Sequence, residues 1–238
     1  MPADSIHTAR LSSDELVTTT TRTIEDYDQS AQWFWEGTRG HDVVQNIDAL
    51  LRHIPGDGPH AILDFGCGPG RDLQALKERG HNPSGLEGSE NFVQMARKYS
   101  GCEVLHQDFL ELDLPSESFD GVFANASLFH VPTQVLPRVL SELREALVPG
   151  GVLFSSNPRG ANVEGWSAER YSAYHDLETW TGFLTDAGFE AMKTYYDDNQ
   201  ICEIVSIIAL FGFLNKWNAT LATDIEASPL AALQKLGP

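Results

Sequence analysis

One run of ten residues, 62–71 (ILDFGCGPGR), restricts the fold of this chain more than any other. Its first half is apolar apart from Asp64, as is typical of a buried β-strand. Glycines then alternate at Gly66, Gly68 and Gly70, and glycine tolerates sharp turns that other residues resist. The run therefore predicts a strand, a tight turn and a helix, which is the cradle that α/β proteins offer to nucleotide-type ligands.

Three kinds of ligand compete for this cradle. A phosphate-binding P-loop needs a Lys followed by Ser or Thr after its last glycine, but Arg71 and Asp72 stand there. A dinucleotide fold uses Gly-x-Gly-x-x-Gly, and the carboxylate of Asp64 would repel a pyrophosphate. The same carboxylate suits a ligand that carries an ammonium and a sulfonium group. S-adenosylmethionine (SAM) is such a ligand, although a glycine turn alone does not decide among the three.

Further apolar segments follow the turn at regular intervals. The segment 83–89 reads as a second strand in which Glu87 lies about twenty residues after the turn, where a carboxylate can accept both ribose hydroxyls. The segments 104–109, 119–126 and 147–154 predict three more strands. We therefore expect an α/β fold with a doubly wound, mostly parallel sheet.

The glycine turn, the acidic strand ends and the Leu-x-Pro-Gly-Gly segment at 147–151 resemble class I SAM-dependent methyltransferases, which have a Rossmann-like fold. The resemblance implies that Asp108 takes the adenine amino group and that Phe109 flanks the ring. An isolated acid after a strand is also a common helix N-cap or turn residue, so this alternative stays open for each acid. The expected cofactor-binding residues are Asp64, Gly66, Cys67, Gly68, Gly70, Glu87, Gly88, Ser89, Asp108, Phe109, Asn125 and Ala126.

Composition narrows the class of protein. The 238 residues include 34 acids and 16 bases, a net charge of -18, which disfavours nucleic acids and anionic membranes as partners. No apolar stretch is long enough to span a membrane, and no secretory signal is visible. The three cysteines have no metal-ligand spacing, so we expect reduced thiols, no metal and a cytoplasmic protein, with Cys67 a packing residue of the turn.

A narrower resemblance rests on six segments: 25–43, 123–132, 155–160, 164–166, 170–171 and 174–177. They are similar to the ovothiol-pathway methyltransferases, which form the C-terminal module of 5-histidylcysteine sulfoxide synthases or a separate chain. The similarity covers residues 23–196. It implies transfer of a methyl group from SAM to an imidazole nitrogen of 4-mercaptohistidine (5-thiohistidine), giving ovothiol.

Candidate side chains for that chemistry lie in the same segments. The expected catalytic residues are Asn125, His130 and Tyr27. The expected substrate-binding residues are Trp35, Thr38, Arg39, Phe129, Asn157, Arg159, Trp166, Arg170 and Tyr171. Either Arg159 or Arg39 can hold the substrate carboxylate as a bidentate fork, although an exposed Arg is more often a solvated charge.

Two histidines are candidates for proton transfer. His130 or His175 could relay a proton, but a structural role is preferred for His175, with Asp176 as a helix N-cap. The connection 157–174 is long and aromatic, which favours a lid over the site.

The chain is expected to divide into a segment at 1–22 that is either mobile or an adapted flap, a methyltransferase domain with N-terminal helices at 23–200, and an atypical apolar segment at 201–238. The last segment would complete the sheet or form a homodimer contact. The expected substrate is a small amino acid. Two alternatives remain: methylation of another small thiol or acid metabolite, and a SAM-binding partner of the sulfoxide synthase without turnover.

Overall fold

The computed structural model of the protein describes residues 10–190. These residues belong to the first of two compact units, which ends at Ala191. The expectations for the segment 201–238 lie outside the described residues.

The apolar segments predicted as strands form one parallel sheet of five strands. They are β1 (Ala61–Phe65), β2 (Asn82–Glu87), β3 (Val104–His106), β4 (Phe119–Asn125) and β5 (Leu147–Ser156). Their order across the sheet is β3-β2-β1-β4-β5, so the direction of winding reverses between β1 and β4. Ligands of open α/β sheets bind at the carboxyl ends of the strands near such a reversal. The expected fold class is confirmed.

Helices cover both faces of the sheet. They are α1 (Ser13–Gln29), α2 (Ala31–Thr38), α3 (Val44–Leu51), α4 (Arg71–Glu78), α5 (Glu90–Ser100), α6 (Leu136–Ala146) and α7 (Leu177–Asp186), with a short 3₁₀ turn at Leu128–His130. Successive residues of β1 point to opposite faces, so Ile62 packs in a cluster with Ile47 and Leu50 of α3. Leu63 packs on the other face in a cluster with Leu140 of α6. Burial on both faces explains the continuous apolar run in β1.

The N-terminal boundary differs from the prediction. Residues 13–22, expected to be mobile or an adapted flap, lie in helix α1, which begins at a capping box between Ser12 and Glu15. Thr19, Thr20 and Thr23 are buried on one side of this helix. A run of threonines looks unstructured in sequence, but here their hydroxyls donate to carbonyl groups of the preceding helical turn.

The connection 157–174 is also more ordered than expected. It contains an antiparallel hairpin of β6 (Val163–Ser167) and β7 (Arg170–Tyr174). The hairpin is tied to α1, because the Tyr171 amide donates to Thr23 Oγ1 at 2.9 Å and Arg170 Nε lies 2.6 Å from Asp26 Oδ2. The predicted lid is therefore a hairpin fastened to the first helix. The predicted N-cap of α7 by Asp176 is confirmed, since its side chain accepts from the Thr179 amide.

The glycine turn permits a test of the fold. Gly70 has φ +92°, and a Cβ there would lie 2.7 Å from Ala96 Cα of α5. Gly70→Ala should lower the free energy of unfolding by about 2 kcal/mol or more, since a left-handed conformation and a backbone overlap both oppose it. Urea denaturation without cofactor measures the change. Gly37→Ala is the control. Gly37 is inside α2, and within residues 10–190 no atom beyond the nearby helix backbone and the chain neighbours lies within 4 Å of the added Cβ, so this variant should gain up to about 1 kcal/mol.

Candidate active site

The turn between β1 and α4 is held open by its glycines and tied to β2 by one carboxylate. Gly66, Gly68 and Gly70 all have positive φ angles, of 77°, 50° and 92°. Glu87, at the end of β2, accepts the Gly68 amide and the Ser89 amide, each at 2.9 Å. Among residues 10–190, apart from the chain neighbours of Gly68, only the Phe34 side chain comes within 4 Å of the position of a Cβ on Gly68, at 3.9 Å. A ligand can therefore approach the backbone of this turn closely.

Asp64 places a buried carboxyl group below the turn. Its Oδ2 atom is buried and has no hydrogen-bond partner among residues 10–190. Burial, and then the charge of nearby Asp72, raises the pKa of Asp64 well above its ordinary value. A buried carboxylate without a partner is costly, and a cationic ligand group would remove that cost. These residues fit a ligand that carries an ammonium group.

Helix α1 covers the same edge of the sheet. Ile24 packs against Gly88, where a Cβ would lie 2.8 Å from the Ile24 Cδ1 atom. Asp28 accepts the Ser89 hydroxyl at 2.7 Å and the Asn91 amide at 2.8 Å, which fixes α1 to the start of α5. The predicted cofactor residues Gly88 and Ser89 are thus brought together with the glycine turn.

Three other predicted cofactor residues have local structural partners. Cys67 is buried against β2, with its Sγ atom 2.7 Å from the position of a Cβ on Gly85. Burial raises the pKa of the Cys67 thiol, so its side chain packs rather than reacts. Asp108 Oδ1 accepts the Leu110 amide at 2.8 Å, and Phe109 stacks on Phe65 with ring centres 4.2 Å apart. The adenine contacts implied for these two residues stay predictions.

The end of β4 carries a network that sequence reasoning missed in part. The side-chain oxygen of Asn125 accepts the side-chain amide of Asn46 at 3.1 Å and the Ser156 hydroxyl at 2.8 Å. The side-chain nitrogen of Asn125 donates to the carboxylate of Asp72 at 3.1 Å. Both acceptor positions of the amide are used and one N–H remains for a ligand. The next residue, Ala126, has φ +57°, an uncommon backbone angle for alanine.

Tyr27 and His130 form a buried pair. His130 Nδ1 lies 2.8 Å from the Tyr171 carbonyl oxygen, which only accepts, so Nδ1 carries the proton. The Tyr27 hydroxyl, 2.8 Å from Nε2, therefore donates to His130. Burial lowers the pKa of His130 to about 4, and the Arg170 guanidinium lies over the Tyr27 ring. His130 is therefore neutral near pH 7 and a weak base, and its predicted catalytic role remains untested.

A separate pocket of about 240 Å³ opens at the carboxyl end of β5. Three predicted substrate-binding residues, Phe129, Asn157 and Arg159, line it together with His175. Arg159 is exposed and forms no ion pair with any part of the chain that the structure describes. Ser156, a hydrogen-bond partner of Asn125, also lines the pocket, so the pocket adjoins the end of β4.

The other predicted substrate residues lie elsewhere. Trp35, Thr38 and Arg39 are at the end of α2, where the Thr38 carbonyl accepts from Arg71 and Trp35 packs on Tyr99. Trp166, Arg170 and Tyr171 belong to the hairpin, and Arg170 pairs with Asp26. None of these six lines the pocket at β5.

Comparison with known proteins shows which kind of domain contains the glycine turn. Residues 62–151 match the family model described as a methyltransferase domain, and that match spans the turn, Glu87 and the end of β4. The match and the fold together support a class I SAM-dependent methyltransferase domain in this chain. Its cofactor is SAM, and the glycine turn, Asp64 and Glu87 are suited to hold it.

Of three similar proteins, two carry different substrates in their names and one is uncharacterised. An uncharacterised methyltransferase of Geobacillus thermodenitrificans is 26% identical over 159 residues, covering 64% of this chain and 73% of the relative. A trans-aconitate 2-methyltransferase of Acidovorax ebreus is 29% identical over 182 residues, covering 73% and 67%. The solved 1,6-didemethyltoxoflavin N1-methyltransferase of Burkholderia thailandensis shares the fold, with a TM-score of 0.56, 21% identity and coverage of 75% and 80%.

Residues 10–190 contain neither a membrane-spanning helix nor a metal-ligand cluster. No helix within residues 10–190 combines the length and hydropathy needed to cross a bilayer. The same residues hold no cluster of three or more His, Cys, Asp or Glu side chains arranged for a metal ion.

The assignment of Glu87 predicts the behaviour of a single variant. Glu87→Ala should weaken SAM binding at least tenfold, since losing hydrogen bonds to a charged group costs about 1.5–3 kcal/mol. Isothermal titration calorimetry measures the affinity, and circular dichroism checks the fold. Glu78→Ala, at an exposed position of α4, should bind SAM like the wild type. Wild-type affinity in Glu87→Ala would show that another group holds the ribose.

The low pKa of His130 predicts a loss of stability in acid. The folded state keeps His130 neutral down to about pH 4, whereas the unfolded chain takes up a proton near pH 6.5. Stability should therefore fall as pH drops from about 6.5 to 4, by roughly 3 kcal/mol from this group alone. Denaturant unfolding of wild type and His130→Gln across that range measures it. Equal pH slopes in the two proteins would contradict the assignment.

Proposed function

We propose that this methyltransferase moves the methyl group of SAM to an imidazole ring nitrogen of 4-mercaptohistidine, giving ovothiol. Two observations support the proposal. The segments that resemble the ovothiol-pathway enzymes supply pocket residues on two separate elements, Phe129 before α6 and Arg159 after β5. The pocket adjoins the end of β4, next to the edge that suits SAM.

The single observation that carries the proposal is the exposed, unpaired Arg159 in that pocket. In a chain of net charge -18, a small molecule with a carboxylate is repelled overall and needs a dedicated cation. Among the pocket-lining residues of the described chain, Arg159 alone carries a positive charge. A guanidinium fork matches a carboxylate in two hydrogen bonds. Phe129 offers an aromatic surface on which a flat ring can pack.

The chemistry asks little of protein bases. SAM supplies a methyl group bound to a positively charged sulfur. A neutral ring nitrogen can attack the methyl carbon in line, so that the carbon–sulfur bond breaks and S-adenosylhomocysteine leaves with the electron pair. The substrate thiolate adds electron density to the ring, so transfer of the methyl cation yields a product without net charge on the thiol-imidazole unit. A neutral His130 is compatible with this reaction, because no proton has to leave the ring. The protein's contribution is orientation, which can lower a barrier by roughly 7–11 kcal/mol.

A second candidate is methylation of a small carboxylic acid. It is supported by the similarity to the trans-aconitate 2-methyltransferase of Acidovorax ebreus and by the same Arg159. A third candidate is a SAM-binding partner of the sulfoxide synthase without turnover. It would share the cofactor edge but give no methylated product.

One assay separates the three candidates. The purified chain is incubated with SAM and either 4-mercaptohistidine, histidine or trans-aconitate, and the products are located by tandem mass spectrometry. We expect a methyl group on a ring nitrogen of 4-mercaptohistidine and at least tenfold slower turnover of histidine, which lacks the thiolate. A methyl group on sulfur, or equal turnover of histidine, would refute the proposal. Methylated trans-aconitate alone would support the second candidate. The absence of a methylated product from all three substrates would support the third.

A further inference from the structure

His175 is a buried polar side chain that the fold leaves without partners. It is 9% exposed, and neither ring nitrogen has a hydrogen-bond partner among residues 10–190. The side-chain oxygen of Asn157, another residue of the same pocket, is also buried and unpartnered. Each such atom costs the folded state about 1–3 kcal/mol, and such exceptions in native proteins call for a reason.

Packing alone does not provide that reason. The imidazole of His175 stacks on Trp180 with ring centres 6.3 Å apart and meets the edge of Phe183 at 5.2 Å. Burial lowers the pKa of His175, so the ring is neutral and carries one donor and one acceptor nitrogen. A phenylalanine would make the same ring contacts without leaving two nitrogens unpaired.

The backbone places His175 beside Arg159. The two residues form an isolated parallel β-bridge, and the Gly160 amide donates to the His175 carbonyl at 3.2 Å. Residues opposite one another in such a bridge direct their side chains to the same face. Both residues line the pocket at the end of β5. Two nitrogen donors, one charged and one neutral, are thus anchored side by side.

We propose that His175 is a substrate-binding residue that donates its ring N–H to the substrate carboxylate, beside the guanidinium of Arg159. Since its nitrogens lie below the pocket surface, the imidazole turns toward the ligand on binding. The nearby carboxylate of Asp176 does not bind the ring N–H of His175, because its oxygens accept the Thr179 amide and the Asn162 side chain. The inference rests on the proposed function only in assigning the pocket to the substrate, and it applies equally to an amino acid and to a small acid.

The test compares His175→Phe with the wild type. The variant keeps a ring against Trp180 and Phe183 and removes both nitrogens. We expect the dissociation constant of the carboxylate ligand to rise about tenfold or more, that of SAM to stay within twofold, and the melting temperature to hold or rise. His175→Gln, which keeps a donor, should recover part of the affinity. Glu178→Gln, an exposed change on α7, is the control and should resemble the wild type.

The probes separate this inference from the proposed function. Calorimetry uses 4-mercaptohistidine, its decarboxylated amine and trans-aconitate. The wild type should prefer 4-mercaptohistidine over the amine, and this preference should shrink in both His175→Phe and Arg159→Lys. If trans-aconitate binds and 4-mercaptohistidine does not, the proposed function fails, and loss of trans-aconitate binding in His175→Phe still supports the carboxylate subsite. Unchanged ligand affinity in His175→Phe with a lower melting temperature, or a wild type that binds neither carboxylate, would overturn the inference.

Discussion

The left-handed turn between β1 and α4 determines how closely three other elements can approach the cofactor edge. Without a Cβ on Gly66, Ser127 from the end of β4 fits against the turn, where such an atom would lie 2.5 Å from the Ser127 Cβ. Without one on Gly70, the backbone of α5 fits at Ala96. The Gly68 amide then faces Glu87 and ties the turn to β2. The glycines therefore open the ligand space and let the surrounding elements close around it.

Charge divides the site into two regions. At the carboxyl ends of β1 and β2, burial raises the pKa values of both Asp64 and Glu87, which disfavours their ionised forms. A cationic ligand would stabilise those ionised forms through its opposite charge. At the end of β5 lies the guanidinium of Arg159, which forms no ion pair within residues 10–190. A positively charged cofactor is thus attracted to the ends of β1 and β2, and the carboxylate of the proposed substrate would be attracted to the end of β5. Under the proposed function, this separation would keep the substrate carboxylate away from the acidic edge.

The sequence predicts well what is encoded within a few residues. The strand, glycine turn and helix at 62–71, the five strands and the N-cap at Asp176 each have a local pattern, and the structure contains all of them. The hydrogen bond between Asn46 and Asn125 joins residues 79 positions apart, and no local sequence pattern predicts it. The hairpin at 157–174 was missed because its strands are stabilised by α1, 140 or more residues away. Unpaired nitrogens such as those of His175 depend wholly on tertiary packing.

Helix α1 connects the two regions of the site. Asp28 fixes it to the start of α5 on the cofactor side, and Asp26 fixes it to Arg170 of the hairpin. Between them, Tyr27 donates to His130, the neighbour of the pocket residue Phe129. Since Arg170 stacks on the ring of Tyr27 and also pairs with Asp26, displacing α1 breaks the ion pair, the stacking contact and the hydrogen bond to His130 together. The cover of the cofactor edge and the elements beside the pocket at β5 are therefore held by one set of interactions.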